Sequence, residues 1–154
     1  AGVEKSASLY RQVNTYKGLL DGCVPGNPDR LSTADLHVKA REIARSHYDG
    51  MRKQAIGQYT ERTDSSKTSH KLEEILPAAY QGRVYHLFVA TGREQWGKFD
   101  EETSELSLHE RAEKGDRELL NLAVIGTILN RGGVYALAPG DVPDGASLAA
   151  VLRY

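Results

Sequence analysis

The most apolar segment of the sequence is Leu119-Leu120-Asn121-Leu122-Ala123-Val124-Ile125-Gly126-Thr127-Ile128-Leu129. It is too short to span a bilayer, which takes about 20 apolar residues. It is long enough for a helix, and its lack of charge predicts a helix packed around most of its circumference. Gly132 and Gly133 follow, and glycine readily takes the left-handed angles that end helices. We therefore take this segment as the core helix of the fold.

Two short apolar runs after this helix, 134–138 and 148–153, have the composition of strands. A third run, 83–90, is rich in β-branched and aromatic residues and is the clearest strand of the chain. A helix over 116–131 would join 83–90 to 134–138 as a parallel pair with a right-handed crossover. The last two strands are predicted to pair antiparallel, so the fold class is α/β with a mixed sheet between helices.

The N-terminal part is predicted to be mostly helical. Apolar residues recur at helical spacing over 4–20. Two prolines and two glycines then interrupt the pattern at 21–29, which indicates a junction. Ser32 is expected to cap a long amphipathic helix over 34–62. A polar loop over 63–69 follows, and Ser69 is expected to cap a helix that ends at Gly82. Further on, the segments 96–100 and 106–109 are predicted to form a hairpin.

Composition limits the classes of function. The 154 residues suit one domain with a small appendage. The formal net charge is -1, so no overall field favours nucleic acid, and we expect no DNA partner. Cys23 is the only cysteine and cannot form an internal disulfide. Without a signal peptide or membrane span, a cytoplasmic protein without a membrane partner is expected. Because the chain opens on Ala1 rather than Met, we expect a piece of a longer protein.

The polar residues give no catalytic constellation. The five histidines lack the paired spacing of metal ligands. Gly132 and Gly133 end a helix and precede a strand, whereas a phosphate-binding loop needs glycines before a helix. No pattern sets two carboxylates across a cleft, and the adjacency of Ser69 and His70 is not the geometry of a catalytic triad. We therefore expect no catalytic residue, metal or cofactor in this chain.

Two groups of residues are candidates for binding. Arg93, Trp96 and Lys98 place cations beside an aromatic ring near the predicted hairpin, a set that suits a nucleobase or a protein partner. The alternative is a tryptophan that only covers the edge of the sheet. Lys67 and Lys71, together with the mildly basic long helix, are the candidates for RNA.

Several stretches resemble a known family. The segments 119–133 and 134–137 and the ending Leu152-Arg153-Tyr154 are similar to the end of the third domain of archaeal and eukaryotic class-I peptide chain release factors. The resemblance is closer to the bacterial relatives of these factors, through 9–16, 25–28 and 77–83. Ala1 and Gly2 resemble the end of an inner strand of the family's middle domain. The resemblance implies that 1–33 is the tail of a truncated middle domain with a linker and 34–154 a release-factor-like third domain.

The implied third domain is similar to ribosomal proteins that bind kink-turn RNA. Three departures limit what carries over. The Gly-Gly-Gln tripeptide of true release factors is absent, and it belongs to the middle domain. Of the Asn-Glu and Lys that kink-turn binders carry before the glycine hinge, only Glu74 matches, because Glu73 and Pro77 stand at the other positions. The small domain that release factors insert after the central strand is reduced here to 92–113.

Three hypotheses follow. The first is a non-catalytic module that docks on the ribosome or on a translation factor. The second is a domain that binds structured RNA. The third is a piece of a nuclease or peptidyl-tRNA hydrolase whose active site lies outside this chain.

Overall fold

The computed structural model of the protein describes residues 2–63 and 65–154. The backbone divides into two units, Ala1–Lys53 and Gln54–Tyr154. This division falls inside the long helix Thr33–Thr60 and does not coincide with the predicted boundary. The family-based boundary between residues 33 and 34 therefore stays a prediction.

The first unit contains helix α1 (Gly2–Val13), a 3-10 turn at Pro28–Arg30 and the first part of helix α2 (Thr33–Thr60). The expected inner strand is wrong for Gly2, which begins α1, and Ala1 lies outside the described residues. Helix α1 ends before the predicted residue 20. Asn14 explains this, because its side-chain amide donates to the carbonyl of Tyr16 and holds a non-helical turn.

The start of α2 is confirmed as a reciprocal cap. The amide of Asp35 donates to Ser32 Oγ at 3.1 Å, and Ser32 Oγ donates to Asp35 Oδ2 at 2.6 Å. The hydroxyl of Ser32, and then its backbone amide at 3.3 Å, donate to the Asp35 carboxylate and hold the pKa of that carboxyl below its usual value. The negative charge is thereby kept beside the positive end of the helix.

The second unit holds seven strands and two further helices. In chain order they are β1 (Thr68–Ser69), α3 (Leu72–Tyr80), β2 (Val84–Ala90), β3 (Trp96–Phe99), β4 (Leu106–His109), β5 (Arg117–Glu118), α4 (Leu119–Leu129), β6 (Gly133–Leu137) and β7 (Leu148–Leu152). They form a four-stranded sheet in the order β1-β7-β2-β6 and a three-stranded sheet in the order β4-β3-β5.

The parallel pair of β2 and β6 is confirmed, with Leu87 opposite Val134. The predicted pairing of the last two strands is wrong. Strand β7 runs antiparallel to β2 on one side and to β1 on the other, so β2 separates it from β6. All five residues of β7 are buried, and such a strand loses more water-exposed apolar surface between two neighbours than at an edge. The large sheet is nevertheless mixed, as expected.

Helices cover both faces of the large sheet. Side chains of α3 and α4, such as Ile75 and Leu122, pack with Leu87 and Ala150 of the sheet. On the other face, Ala55 and Tyr59 of α2 belong to a second cluster, completed by Phe88, Ala90, Leu137, Val142, Ala149 and Val151. The expected mixed sheet between helices is therefore what the second unit shows.

Helix α4 is less enclosed than its composition predicts. Leu119, Ala123 and Thr127 are fully buried, whereas Ile128 and Leu129 are 58% and 75% exposed. An unbroken apolar run has no helical period, so the sequence could not indicate which side faces the sheet. In the described parts of the chain, no helix is long and apolar enough to cross a membrane.

Ser69 does not cap α3 as expected. The N-cap is Lys71, whose side chain makes no capping bond. Ser69 lies in β1, the short strand inside the predicted loop, and Asp64 of that loop is outside the described residues. The hydroxyl of Ser69 accepts from the Lys71 amide at 3.1 Å and donates to Glu74 Oε2 at 2.6 Å. Ser69 therefore bridges the strand and the first turn of the helix.

Candidate functional site

The predicted hairpin exists and is the larger part of a three-stranded sheet. Trp96 lies on its central strand, opposite His109 of β4 and Glu118 of β5. The sequence did not indicate β5, because two residues are too few for a strand pattern. Along β3, Gly97 and Phe99 are buried while Lys98 is exposed and Trp96 half-buried. Since strand side chains alternate, Trp96 and Lys98 share the outer face of this sheet.

One carboxylate contacts the indole of Trp96, and a second holds the backbone around it. Its Nε1 donates to Glu94 Oε2 at 3.3 Å. Glu118 accepts from the amides of Gln95, Leu120 and Asn121 at 3.0, 3.1 and 2.6 Å. Glu118 thus caps α4 and ties the loop before Trp96 to the helix. The amides at this helix end are therefore occupied by the protein's own carboxylate, which leaves no anion site there.

His109 and Asp116 form a close pair beside this sheet. His109 Nδ1 lies 2.8 Å from Asp116 Oδ2, which also accepts from the amide of Glu113 at 3.0 Å. Burial acts to raise the pKa of the Asp116 carboxyl, but these two hydrogen bonds and the charges of His109 and Lys98 hold it below its usual value. Asp116 therefore keeps its negative charge on the sheet that carries Trp96.

Arg93 precedes β3 and lines a pocket that neither Trp96 nor Lys98 lines. It lines a pocket of about 400 Å³ after the end of β2, with Glu94 and Glu118 among its neighbours; the other lining residues are Val89, Gly92, Leu120, Asn121 and Val124. Two carboxylates in the same pocket offset the charge of the guanidinium. The structure therefore brings together two of the three residues predicted at the hairpin.

Lys67 and Lys71 flank β1 in the second unit. Lys71 Nζ is 3.3 Å from Glu74 Oε1, so a carboxylate already offsets its charge. The hydrogen bond from Ser69, followed by the contact with Lys71, lowers the pKa of Glu74 against the opposing effect of burial. Lys67 is exposed, and its carbonyl accepts from the amide of Leu152. The two lysines thus do not form one free basic patch.

Lys71 opens onto a polar pocket that the sequence analysis missed. The pocket has a volume of about 260 Å³ and is lined by Tyr59, Thr63, Thr68, Ser69, His70, Lys71, Glu74 and Asp144. Tyr59 donates to Asp144 Oδ2 at 2.6 Å, and His70 Nδ1 is 3.5 Å from the same oxygen. Asp144 is held at φ 59°, a left-handed conformation in which aspartate is less strained than most residues. Tyr59 and Asp144 are separated by 85 positions in the sequence, so no local pattern could indicate this contact.

The Tyr59 bond gives a stability prediction. Replacing Tyr59 with phenylalanine removes a hydrogen bond to a carboxylate, so we expect the free energy of unfolding at pH 7 to fall by about 1 kcal/mol. Burial, and then the bond and charge of Asp144, raise the pKa of Tyr59 above its usual value. Because the pKa is higher in the folded state, the stability that the shift contributes is fully present below about pH 10. This contribution is lost as the pH rises further, because the tyrosine of the unfolded chain ionises first. Urea unfolding at pH 7 and 10.5 measures both effects.

The matched control for this prediction is Tyr154→Phe, because Tyr154 is 72% exposed. We expect that variant to unfold like the unmodified chain at both pH values. Equal stability of Tyr59→Phe and Tyr154→Phe at pH 7 would contradict the assigned role of the Tyr59 bond.

Neither polar cluster has the composition of a metal centre. Within residues 2–63 and 65–154, no group of three or more His, Cys, Asp or Glu side chains is arranged to hold a metal ion. Cys23 is exposed and free. His70 and Asp144 lie outside the strands, next to β1 and in the 3-10 turn Pro143–Gly145, whereas His109 lies on β4 and contacts both Asp116 and Glu113.

Comparison with known proteins assigns the chain to a family. A search of curated proteins finds no match. A family model, bacterial archaeo-eukaryotic release factor family 3, matches residues 1–83. The match covers more than half of the chain, from α1 through α3 with Lys67 and Lys71, and ends before Arg93, Trp96 and Lys98. Its name indicates a role related to translation, and the chain belongs to bacterial archaeo-eukaryotic release factor family 3.

Proposed function

We propose that this chain is a non-catalytic docking module that binds the ribosome or a translation factor in the cytoplasm. In this proposal, residues 1–33 are the tail of a middle domain with its linker, and 34–154 are the release-factor-like third domain. Membership of a release-factor family supports the link to translation. The placement of Trp96 supports docking as the means.

The observation that carries the proposal is the half-buried Trp96 on the central strand of a small sheet. Tryptophan is among the residues that contribute most to protein interfaces, because it buries a large area with little loss of conformational freedom. Here its outer face is shared with Lys98, and its Nε1 donates to the carboxylate of Glu94. An apolar ring within a charged rim has the arrangement of an interface centre.

The charge of this region favours one kind of partner. Segment 91–118 contains nine acidic and five basic residues, so its formal charge is 5 - 9 = -4. Such a surface repels nucleic-acid phosphates and attracts a positively charged protein surface. We therefore propose that Trp96 contacts a basic protein of the translation machinery rather than RNA. Electrostatic attraction of this kind weakens as salt is added.

The test is co-sedimentation of the full-length protein with ribosomes, and pull-down with purified translation factors, at several salt concentrations. We expect Trp96→Ala to weaken binding by roughly thirtyfold, the loss typical of a residue at the centre of an interface. Trp96→Phe should retain part of the affinity. Ile128→Ala is the matched control, since Ile128 is an exposed apolar residue on α4, away from this sheet.

Two results would overturn the proposal. One is unchanged binding of a folded Trp96→Ala variant to every translation component tested. The other is binding that Lys67→Gln and Lys71→Gln abolish while Trp96→Ala does not, which would favour the structured-RNA hypothesis. Peptidyl-tRNA hydrolysis by this chain alone would likewise contradict its non-catalytic role.

A further inference from the structure

A β-bulge interrupts the pairing of β2 with β7. Val84 lies opposite Leu152 and His86 opposite Val151, so Tyr85 is the extra residue. Bulges redirect side chains and are common beside functional sites. Here the ring of Tyr85 lies 4.2 Å from the adjacent ring of His86, between centroids, and 45% of Tyr85 is exposed. The bulge therefore leaves the Tyr85 ring accessible above the sheet.

Tyr85 lines a cavity of about 460 Å³, which we call the bulge pocket. Its other lining residues are Gln58, Arg62, Leu152 and Arg153, all in the second unit. Pockets that hold small molecules usually have volumes between about 300 and 1,000 Å³. The bulge pocket is thus large enough for a ligand of nucleotide size.

Neither arginine of the bulge pocket has a carboxylate partner among the described residues. In the described parts of the chain, no carboxylate oxygen lies within 4 Å of the side-chain nitrogens of Arg62 or Arg153. Arg153 Nη2 donates to the carbonyl of Asn130 at 2.9 Å, which fixes the guanidinium and leaves other donors free. Burial, and then the positive charge of Arg62, hold the pKa of His86 below its usual value. The charge of Arg62 therefore acts on the histidine next to Tyr85. Two guanidinium groups therefore line the pocket, and none of its described lining residues is acidic.

Gln58 adds an unsatisfied acceptor to this pocket. Its Oε1 is buried and has no hydrogen-bond partner among the described residues. A buried polar atom without a partner destabilises a fold, and a rotation of the Gln58 side chain toward the pocket would let this oxygen meet a donor from a ligand. The bulge pocket thus combines an aromatic ring, two cationic groups and one buried amide oxygen.

We propose that the bulge pocket binds a nucleotide. Its base stacks on Tyr85, its phosphate pairs with Arg62 and Arg153, and the Gln58 amide rotates to accept from an N–H or hydroxyl of the nucleotide. Guanidinium groups match the geometry of phosphate, and any base can stack on an aromatic ring. A free nucleotide and a single-stranded RNA segment offer this same chemistry. The proposal is independent of docking through Trp96, which lies on the other sheet.

The experiment measures binding of AMP, inorganic phosphate and a fluorescently labelled six-nucleotide single-stranded RNA to the full chain. Calorimetry serves for the small ligands, and fluorescence anisotropy serves for the RNA. We expect Tyr85→Ala to raise the Kd at least about fivefold and Tyr85→Phe to leave it nearly unchanged, because phenylalanine keeps the ring face. Arg62→Gln should weaken binding and reduce the salt dependence of the RNA affinity by about one unit of slope.

Two further variants separate binding from folding. Arg111→Gln is the matched control for Arg62→Gln, since Arg111 is an exposed arginine outside the pocket. Gln58→Leu removes the unsatisfied oxygen, so we expect it to weaken binding without lowering the resistance to urea. Circular dichroism of each variant verifies the fold.

The outcomes test the proposal and distinguish a free nucleotide from a single-stranded RNA segment as the ligand. Binding of AMP with these variant effects supports a free nucleotide, and binding of RNA without AMP supports a single-stranded segment. The nucleotide assignment would be overturned if inorganic phosphate bound as tightly as AMP and the RNA, and bound equally well to the Tyr85→Ala variant. Absence of binding to AMP and RNA at low salt would also overturn it. A Trp96→Ala variant that still binds nucleotide separates this result from failure of the docking proposal.

Discussion

Replacing Gly97 with alanine is expected to disrupt the three-stranded sheet and to lower the free energy of unfolding of the second unit by about 3 kcal/mol. A Cβ atom at Gly97 would lie 2.0 Å from the carbonyl oxygen of Ser107, on the paired strand, and 2.9 Å from Leu119 Cδ1. The nearest obstacle is backbone, so the strand itself must move. Because Gly97 adjoins Trp96, we expect ribosome or factor binding to be lost with it.

Trp96 itself provides the measurement for Gly97→Ala, since it is the only tryptophan of the chain. Its fluorescence should shift toward that of a water-exposed indole in the native variant, and urea unfolding should show the lost stability. Gly140→Ala is the control, because a Cβ atom at Gly140 meets nothing within 4 Å. Native fluorescence and unchanged stability of Gly97→Ala would show that the strands tolerate a side chain there.

Replacing Phe88 with alanine is expected to lower the free energy of unfolding by about 3–5 kcal/mol. Phe88 is fully buried in the centre of β2. Its ring stacks on Tyr135 at 5.5 Å between centroids and meets the edge of Tyr59 at 6.0 Å. The deletion would leave a cavity between the sheet and the part of α2 that belongs to the second unit, and few nearby groups could fill it.

Chemical denaturation followed by circular dichroism measures the Phe88 effect. Ile128→Ala, the same kind of truncation at an exposed site, should change stability by no more than about 0.5 kcal/mol. Phe88→Leu should fall between the two, because leucine refills part of the cavity. A loss below about 1 kcal/mol for Phe88→Ala would contradict the assignment of Phe88 to a closed core.

The hairpin shows how much of the candidate docking surface can be predicted from local sequence. Alternating residues around an acidic turn were enough to predict the pairing of 96–100 with 106–109, and Trp96 stands opposite His109 in that pairing. The acidic rim also follows from composition. The third strand at Arg117–Glu118 and the pair of His109 with Asp116 did not follow, because each depends on where the chain returns after a loop.

Both polar pockets lay beyond the reach of sequence reasoning. The C-terminal part of α2 packs on one face of the large sheet, in the same cluster as Val142, which precedes the 3-10 turn Pro143–Gly145. Tyr59 of α2 therefore meets Asp144 of that turn. The bulge pocket depends on one residue of register slip at Tyr85, which no alternation pattern reveals. In each case the partners are brought together by packing over a long separation in sequence.

The sequence by itself determined the α/β class, the capped start of α2, the parallel pair of β2 and β6, the hairpin and the family, because periodicity, caps and turns act over a few neighbouring residues. Only the tertiary structure decided that β7 lies inside the sheet, which side of the Leu119–Leu129 helix is buried and which polar groups meet. These choices depend on which arrangement removes most apolar surface from water, and that quantity belongs to the whole packed chain rather than to any segment of it.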